Sequence, residues 1–286
     1  MQVTEHVHAV KIPFPGTSRF VYVYLIYGKK ICLIDSGILS GRERLFHYLR
    51  NSGRDPKEVS LIVQTHSHPD HIGLTGEIKK ISNCQVAIHA AEKAWIEDIE
   101  LQERIRPTLT FRAFVQQPAV VDRTLQGGET LDWEEGLSLR VIHAPGHSSG
   151  HVAIFLPQDG ALFTGDGVPP YGGVPIYEDV RESIRSICKL KKVHGVNALF
   201  SSWHEPQKGE MACALMDESL AYLQKVHELV RAIKGAIPSL DPRELAVRVL
   251  TEVGLPPSPL SPNVITTMEA HLQEVEHPDI LTLAVQ

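Results

Sequence analysis

Between positions 66 and 71 the chain reads HSHPDH, three imidazoles and a carboxylate within six residues. Neutral imidazole nitrogen and carboxylate oxygen are ligands for zinc, iron or manganese, and two histidines at i, i+2 on a tight loop aim their rings at one point. Asp70 and His71 start the next helix just beyond Pro69 and face a neighbouring point, so the loop has donors for two adjacent ions. Each residue also has an ordinary use: Asp70 as a helix N-cap, a lone histidine as a satisfied surface or core group. Four such groups together resist that reading, because burying them without partners is costly.

Two ions need more ligands than one loop offers. His147 in HAPGHSSGH, Asp166 in LFTGDG and His204 in FSSWHEP each follow a β-like run, which points them to the same edge of a sheet. Singly, Asp166 is a natural turn aspartate and His204 a strand cap. As a set they assign His66, His68 and His147 to one ion and Asp70, His71 and His204 to the other, with Asp166 bridging. Asp70 and Asp166 are the carboxylates given catalytic roles. Two cations about 3.5–4 Å apart bring a shared water toward a neutral pKa and polarise a carbonyl or phosphoryl oxygen, so the expected nucleophile is a metal-bridging hydroxide.

The elements that must position these residues are legible around them. VHAVKIP, FVYVYLIYG and KICLIDSG read as strands, SGRERLFHYLRNSG as a helix closed by Gly53, and EVSLIVQTH as a buried strand. The histidine loop therefore leaves a strand end and enters a helix over residues 70–81, DHIGLTGEIKKI, followed by the strand CQVAIHA. Residues 91–125 break the rhythm and read as a surface helix and loop with their aromatics turned inward, a lid over a pocket being the alternative. Strands resume with LSLRVIHAPGH, HVAIFLP and ALFTGD, then come the helix EDVRESIRSICKLKKV and the strand VNALFSSWH, so the second half repeats the first in outline. After Pro206 the strand signals vanish. Tyr222, Val226, Leu229, Val230 and Ile233 share one helical face, Asp241–Pro242 and Ser261–Pro262 open two further helices, and LPPSPLSP lies between those as a stiff linker. The division expected is a catalytic domain over 1–206 and a helical extension over 207–286, a lid or dimer surface, which leaves a homodimer open.

Five ordered motifs, LIDSG, THSHPDHIG, APGHSSGH, FTGDG and SSWHEP, resemble those of the metallo-β-lactamase fold superfamily of metal-dependent hydrolases, over residues 1 to about 206. The resemblance implies an α+β fold, a four-layer αβ/βα sandwich of two similar halves with the metals where the sheet edges meet. It also makes Asp35 a candidate for orienting a histidine ligand, a strand-end turn aspartate being the alternative, and makes His151 either a similar support or a loop anchor. His68 stands where the diiron flavoprotein branch carries glutamate, and His71 with Asp166 departs from the antibiotic lactamases. The branches left are glyoxalase II-like thioesterases, lactonases and persulfide dioxygenases. WHEP is similar to the final ligand motif of glyoxalase II. Arg231, Lys234, Arg243 and Arg248 are either cations for a glutathione substrate or a solvated helix face, and Tyr171 and Tyr177 either donate to a substrate carbonyl or hold their loop. The expected function is a binuclear hydrolase of a thioester or lactone, with a mononuclear iron dioxygenase or a phosphodiesterase as alternatives. Two zinc ions are the expected cofactor, with iron or manganese also accepted by this ligand set.

Composition sets the outer limits. With 43% hydrophobic and 22% charged residues and no biased tract, the 286-residue chain reads as an ordinary globular protein. A net charge of −6 without an evident basic patch argues against nucleic acid, and no run approaches the roughly 20 apolar residues of a membrane helix. Cys32, Cys84, Cys188 and Cys213 form no C-x-x-C pair and read as buried free thiols; with no signal peptide legible, a cytoplasmic protein acting on a small-molecule substrate is expected.

Overall fold

A computed structural model describes residues 1–108, 110–256 and 260–284. They fall into two compact units, one of Met1–His143, Gly150–Gly165 and Gly195–Lys208, the other of Ala144–Ser149, Asp166–His194 and Gly209–Gln286.

The first unit is built on two six-stranded sheets. One contains β1 (Val7–Pro13), β2 (Phe20–Tyr27), β3 (Ile31–Ile34), β4 (Val59–Val63), β5 (Gln85–His89) and β6 (Arg123–Leu125), side by side in that order. β1 to β3 pair antiparallel and β3 to β6 parallel. The other contains β7 (Thr130–Glu134), β8 (Leu137–His143), β9 (Val152–Leu156), β10 (Ala161–Gly165), β11 (Ala198–Ser201) and β12 (Gln207–Lys208), antiparallel except for the β10–β11 pair. β6, β7 and β12 are short or partly exposed and carry too little apolar alternation to be read from sequence.

Period-two alternation sorts the side chains of the first sheet. Tyr22, Tyr24, Ile26, Ile34 and Val63 turn toward Leu139, Val141, Ile154, Phe163 and Phe200 of the second sheet. The alternate residues Val21, Val23, Leu25, Leu33 and Ile62 pack under Leu45, Phe46 and Leu49 of α1 (Arg42–Asn51) and under Ile78. A sheet covered on both faces explains why these strands read as unbroken apolar runs. The α+β class expected from the sequence is the class observed.

The helix expected over 70–81 is two helices, α2 (Pro69–Ile72) and α3 (Thr75–Ser82). The break follows from close backbone contact: Gly73 donates its N–H to the Gly37 carbonyl at 2.7 Å, and the Ser36 hydroxyl caps the Leu74 N–H at 3.2 Å. The irregular stretch 91–125 holds α4 (Lys93–Glu97), α5 (Ile99–Ile105) and α6 (Phe111–Phe114), with Phe111 buried as expected and Trp95 half-buried beneath the Arg106 guanidinium.

The second unit is helical. It contains α7 (Val180–Lys191), α8 (Glu210–Ala236), α9 (Pro242–Glu252) and α10 (Pro262–Gln273). Asp241 and Ser261 cap α9 and α10 as their sequences require, and Tyr222, Val226 and Val230 of α8 pack with Leu245, Val249, Val264 and Met268. α7 groups with the C-terminal helices because it packs on α8. Part of the linker LPPSPLSP, residues 257–259, lies outside the described residues. Cys32 and Cys84 are buried as expected and Cys188 is half-buried, but Cys213 is exposed. Cys213 sits one position round α8 from the buried stripe of Ala212, Leu215 and Met216, and that single step turns it outward. No helix among the described residues is long and apolar enough to cross a membrane.

Candidate metal centre

The histidine loop leaves the C-terminal end of β4 and is turned into α2 by Pro69, at that helix's first turn. Proline excludes the helical conformation for the residue before it, and His68 is accordingly extended, with φ −62° and ψ 148°. The His66 and His68 rings lie 4.6 Å apart, and the His71 ring comes within 4.1 Å of His66.

Asp35, just past β3, ties this loop to the neighbouring strand end. Its buried carboxylate accepts from the Thr65 N–H, the Thr65 hydroxyl and His71 Nδ1, each at 2.8 Å. The Thr65 hydroxyl proton is thereby used, so its oxygen lone pair is what His66 Nδ1 meets at 3.0 Å. His147 Nδ1 lies 2.8 Å from the Ile176 carbonyl, which can only accept. In all three histidines the proton belongs on Nδ1, and Nε2 is the aprotic nitrogen a metal requires.

His66, His68, His147 and Asp166 are all buried and offer ligand atoms lying within 4.8 Å of one another. His147 Nε2 stands 3.5 Å from Asp166 Oδ2. Three imidazoles with one carboxylate suit a first-row divalent ion, and zinc, iron and manganese all accept this mixture. The donor set therefore fits the metal the sequence called for.

Of the residues assigned to a second ion, Asp70 is half-buried in the first turn of α2, with Oδ2 3.9 Å from His71 Nε2. His204 is half-buried, three residues past the end of β11. His151 is buried, its ring 5.2 Å from that of His66. Gly165, at φ +49°, makes room there: a Cβ on it would lie 2.7 Å from Thr65 Oγ1 and 2.8 Å from His151 Nε2.

Tyr177 is buried, with its hydroxyl 2.6 Å from His271 Nε2 and its N–H on the Thr267 hydroxyl, while Tyr171 is exposed, its ring tilted by 50° against that of Tyr222. The basic residues of the extension divide. Arg231 donates to the Val275 carbonyl and Lys234 to the Leu240 carbonyl, which makes them helix braces; Arg243 and Arg248 are exposed. Sequence reasoning passed over Thr65 and Glu92, each of which bonds a residue singled out above or the loop that carries one. Only Thr65, adjacent to His66, had a signal in its position.

A sequence profile of the metallo-beta-lactamase superfamily matches residues 16–200. The chain is 27% identical over 215 residues to a hydroxyacylglutathione hydrolase of Hyphomonas neptunium, covering 73% of this chain and 75% of that protein. It is 30% identical over 195 residues to an acyl-coenzyme A thioesterase of Gallus gallus, covering 60% and 66% respectively. Among solved structures, a metallo-beta-lactamase family protein of Thermus thermophilus superposes with a TM-score of 0.76 at 23% identity, over 95% of this chain and 93% of that one. With the profile spanning more than half its length, this chain belongs to the metallo-beta-lactamase superfamily.

Proposed function

We propose that this protein is a binuclear metal-dependent hydrolase that cleaves thioester carbonyls. The observation that carries the reading is the buried group of His66, His68, His147 and Asp166. In this reading His66, His68 and His147 would hold one ion, Asp70, His71 and His204 would hold the second, and Asp166 would serve both. Two divalent ions, zinc first and iron or manganese as substitutes, supply Lewis acidity and bring a water's pKa toward neutrality when bound.

The chain's own groups do the rest. Asp35 and the Ile176 carbonyl keep the protons of His71 and His147 on Nδ1, so that neither ring swings or changes tautomer as charge develops. Asp166 orients the attacking water toward the carbonyl carbon. Burial of His66, His68, His147 and Asp166 keeps bulk water away from them and strengthens their charge interactions.

The thioester is favoured over the lactone by two supports. The relatives named hydroxyacylglutathione hydrolase and acyl-coenzyme A thioesterase act, by those names, on thioesters. Of the two tyrosines offered as a lactone carbonyl donor, Tyr177 instead has its hydroxyl 2.6 Å from His271 Nε2. Elemental analysis followed by a panel of thioester, lactone and phosphodiester substrates tests the reading. Expected are close to two metal ions per chain and fastest turnover of a thioester. One iron per chain with oxygen consumption on a glutathione persulfide, or preferred turnover of bis-p-nitrophenyl phosphate, overturns it. His68→Ala is expected to lose metal content and activity together; full metal and full rate in that variant would remove the ligand assignment.

A further inference from the structure

Glu92 has a fully buried carboxylate outside the ligand set. Its place follows from strand register. β4 and β5 run parallel with Val63 opposite Ala87, so extending both strands sets residues 90–92 beside Ser67. A tight turn over Ala90–Glu92, capped by His89 Nδ1 accepting the Ala91 N–H at 3.2 Å, then aims the Glu92 side chain back at the histidine loop.

The carboxylate spans two loops. Oε2 accepts the hydroxyl of Ser67, the residue between His66 and His68, and Oε1 accepts the Gly150 N–H at 3.0 Å, one residue before His151. A Cβ at position 150 would lie 2.6 Å from Glu92 Cγ, so only glycine lets the loop come this close. From the same segment, Gln102 Nε2 donates to the Ser67 carbonyl at 2.5 Å, so Ser67 is gripped by both side chain and backbone. Arg106 Nη1 stands 3.8 Å from Glu92 Oε2, its guanidinium held over Trp95. A desolvated carboxylate is a poor stabiliser, and an apolar residue of similar volume often serves the fold as well. Its two oxygens instead match two donors on two loops that flank the same ring, His66.

We infer that Glu92 is a positioning residue for the metal centre, and that residues 90–106 are its brace. It sets the spacing of His66 and His68 through Ser67 and the height of His151 through Gly150. The inference rests on the reading of His66 and His68 as ligands. An amide at position 92 cannot accept on both arms, so Glu92→Gln breaks one of the two bonds at nearly constant volume. Ser67→Ala breaks the Ser67 bond alone and opens no cavity of consequence.

The test is titration of the metal-free protein with Co2+ and, by competition, Zn2+, together with the visible cobalt spectrum and the melting temperature of the metal-free form. Glu97→Gln is the control: Glu97 accepts the Val121 N–H at 2.9 Å on the same segment but touches neither loop. Expected are a loss of about 10–100-fold in metal affinity and a shifted cobalt band for Glu92→Gln and Ser67→Ala, with Glu97→Gln unchanged in both. Wild-type affinity and an unshifted band in the two variants, with only the melting temperature lowered, would overturn the inference. If Glu92→Gln does not fold, Ser67→Ala decides by itself. A wild-type protein that takes up no metal overturns the ligand reading, and this inference with it.

Discussion

Asp35 holds a backbone conformation that L-residues avoid, φ 61°, while accepting three hydrogen bonds from two residues of the histidine loop. Left-handed backbone at a non-glycine residue costs about 1 kcal/mol and persists where the surroundings over-determine it. The turn aspartate and the histidine-orienting aspartate, alternatives in the sequence, are thus one residue doing both. Asp35→Asn is expected to keep the turn, since asparagine tolerates this region, but it replaces one acceptor oxygen with a donor facing Thr65 or His71. Metal affinity should fall about 10–100-fold, measured by competition with a chelating dye, with far-ultraviolet circular dichroism unchanged. Unaltered affinity would reduce Asp35 to a turn residue.

At the scale of elements, the α2–α3 break and the α8–α10 contact carry separate expectations. A Cβ on Gly73 would lie 2.4 Å from the Phe114 carbonyl and 2.5 Å from that of Gly37, backbone atoms that cannot step aside. Gly73→Ala should destabilise by about 1–3 kcal/mol, read as a lower denaturant midpoint at constant slope. Between α8 and α10, His227 and His271 face each other with Nδ1 atoms 3.1 Å apart; burial lowers the pKa of both below the ordinary 6.5, His271 further. A lowered histidine pKa means that the unfolded chain takes up the proton first, so this stability is whole above about pH 6.5 and is lost as pH falls below it. Tyr177, Glu274, Arg231 and the His277 carbonyl surround the pair, and the Arg231 charge adds to the lowering at His227. Protection factors of the amides in α8 and α10, the exchange rates referred to the intrinsic rate at each pH, should therefore fall between about pH 7.5 and about pH 5.5, and His271→Gln should flatten that dependence. Protection factors independent of pH in the wild type would contradict a neutral buried pair.

For the whole molecule, metal and fold are linked by mass action. At about 1,000 times the dissociation constant a ligand stabilises by about 4 kcal/mol, so removing metal with excess chelator should lower the melting temperature by about 10 °C, and adding Zn2+ should restore it. No shift on chelation would mean that the centre holds nothing tightly. The sequence by itself determined the candidate ligand types, their order and the strands that carry them, because donor chemistry resides in single residues and strand burial shows as local alternation. His66 and His68 were legible from their spacing, and α9 and α10 from their Asp–Pro and Ser–Pro starts. The tertiary structure alone decided what holds those candidate ligands: the Asp35 carboxylate on His71, the Ile176 carbonyl on His147 and the Glu92 carboxylate across Ser67 and Gly150. These partners are 25 to 58 residues apart in the chain. Their meeting depends on strand register and on which buried donor faces which acceptor, and neither leaves a periodic mark in the sequence.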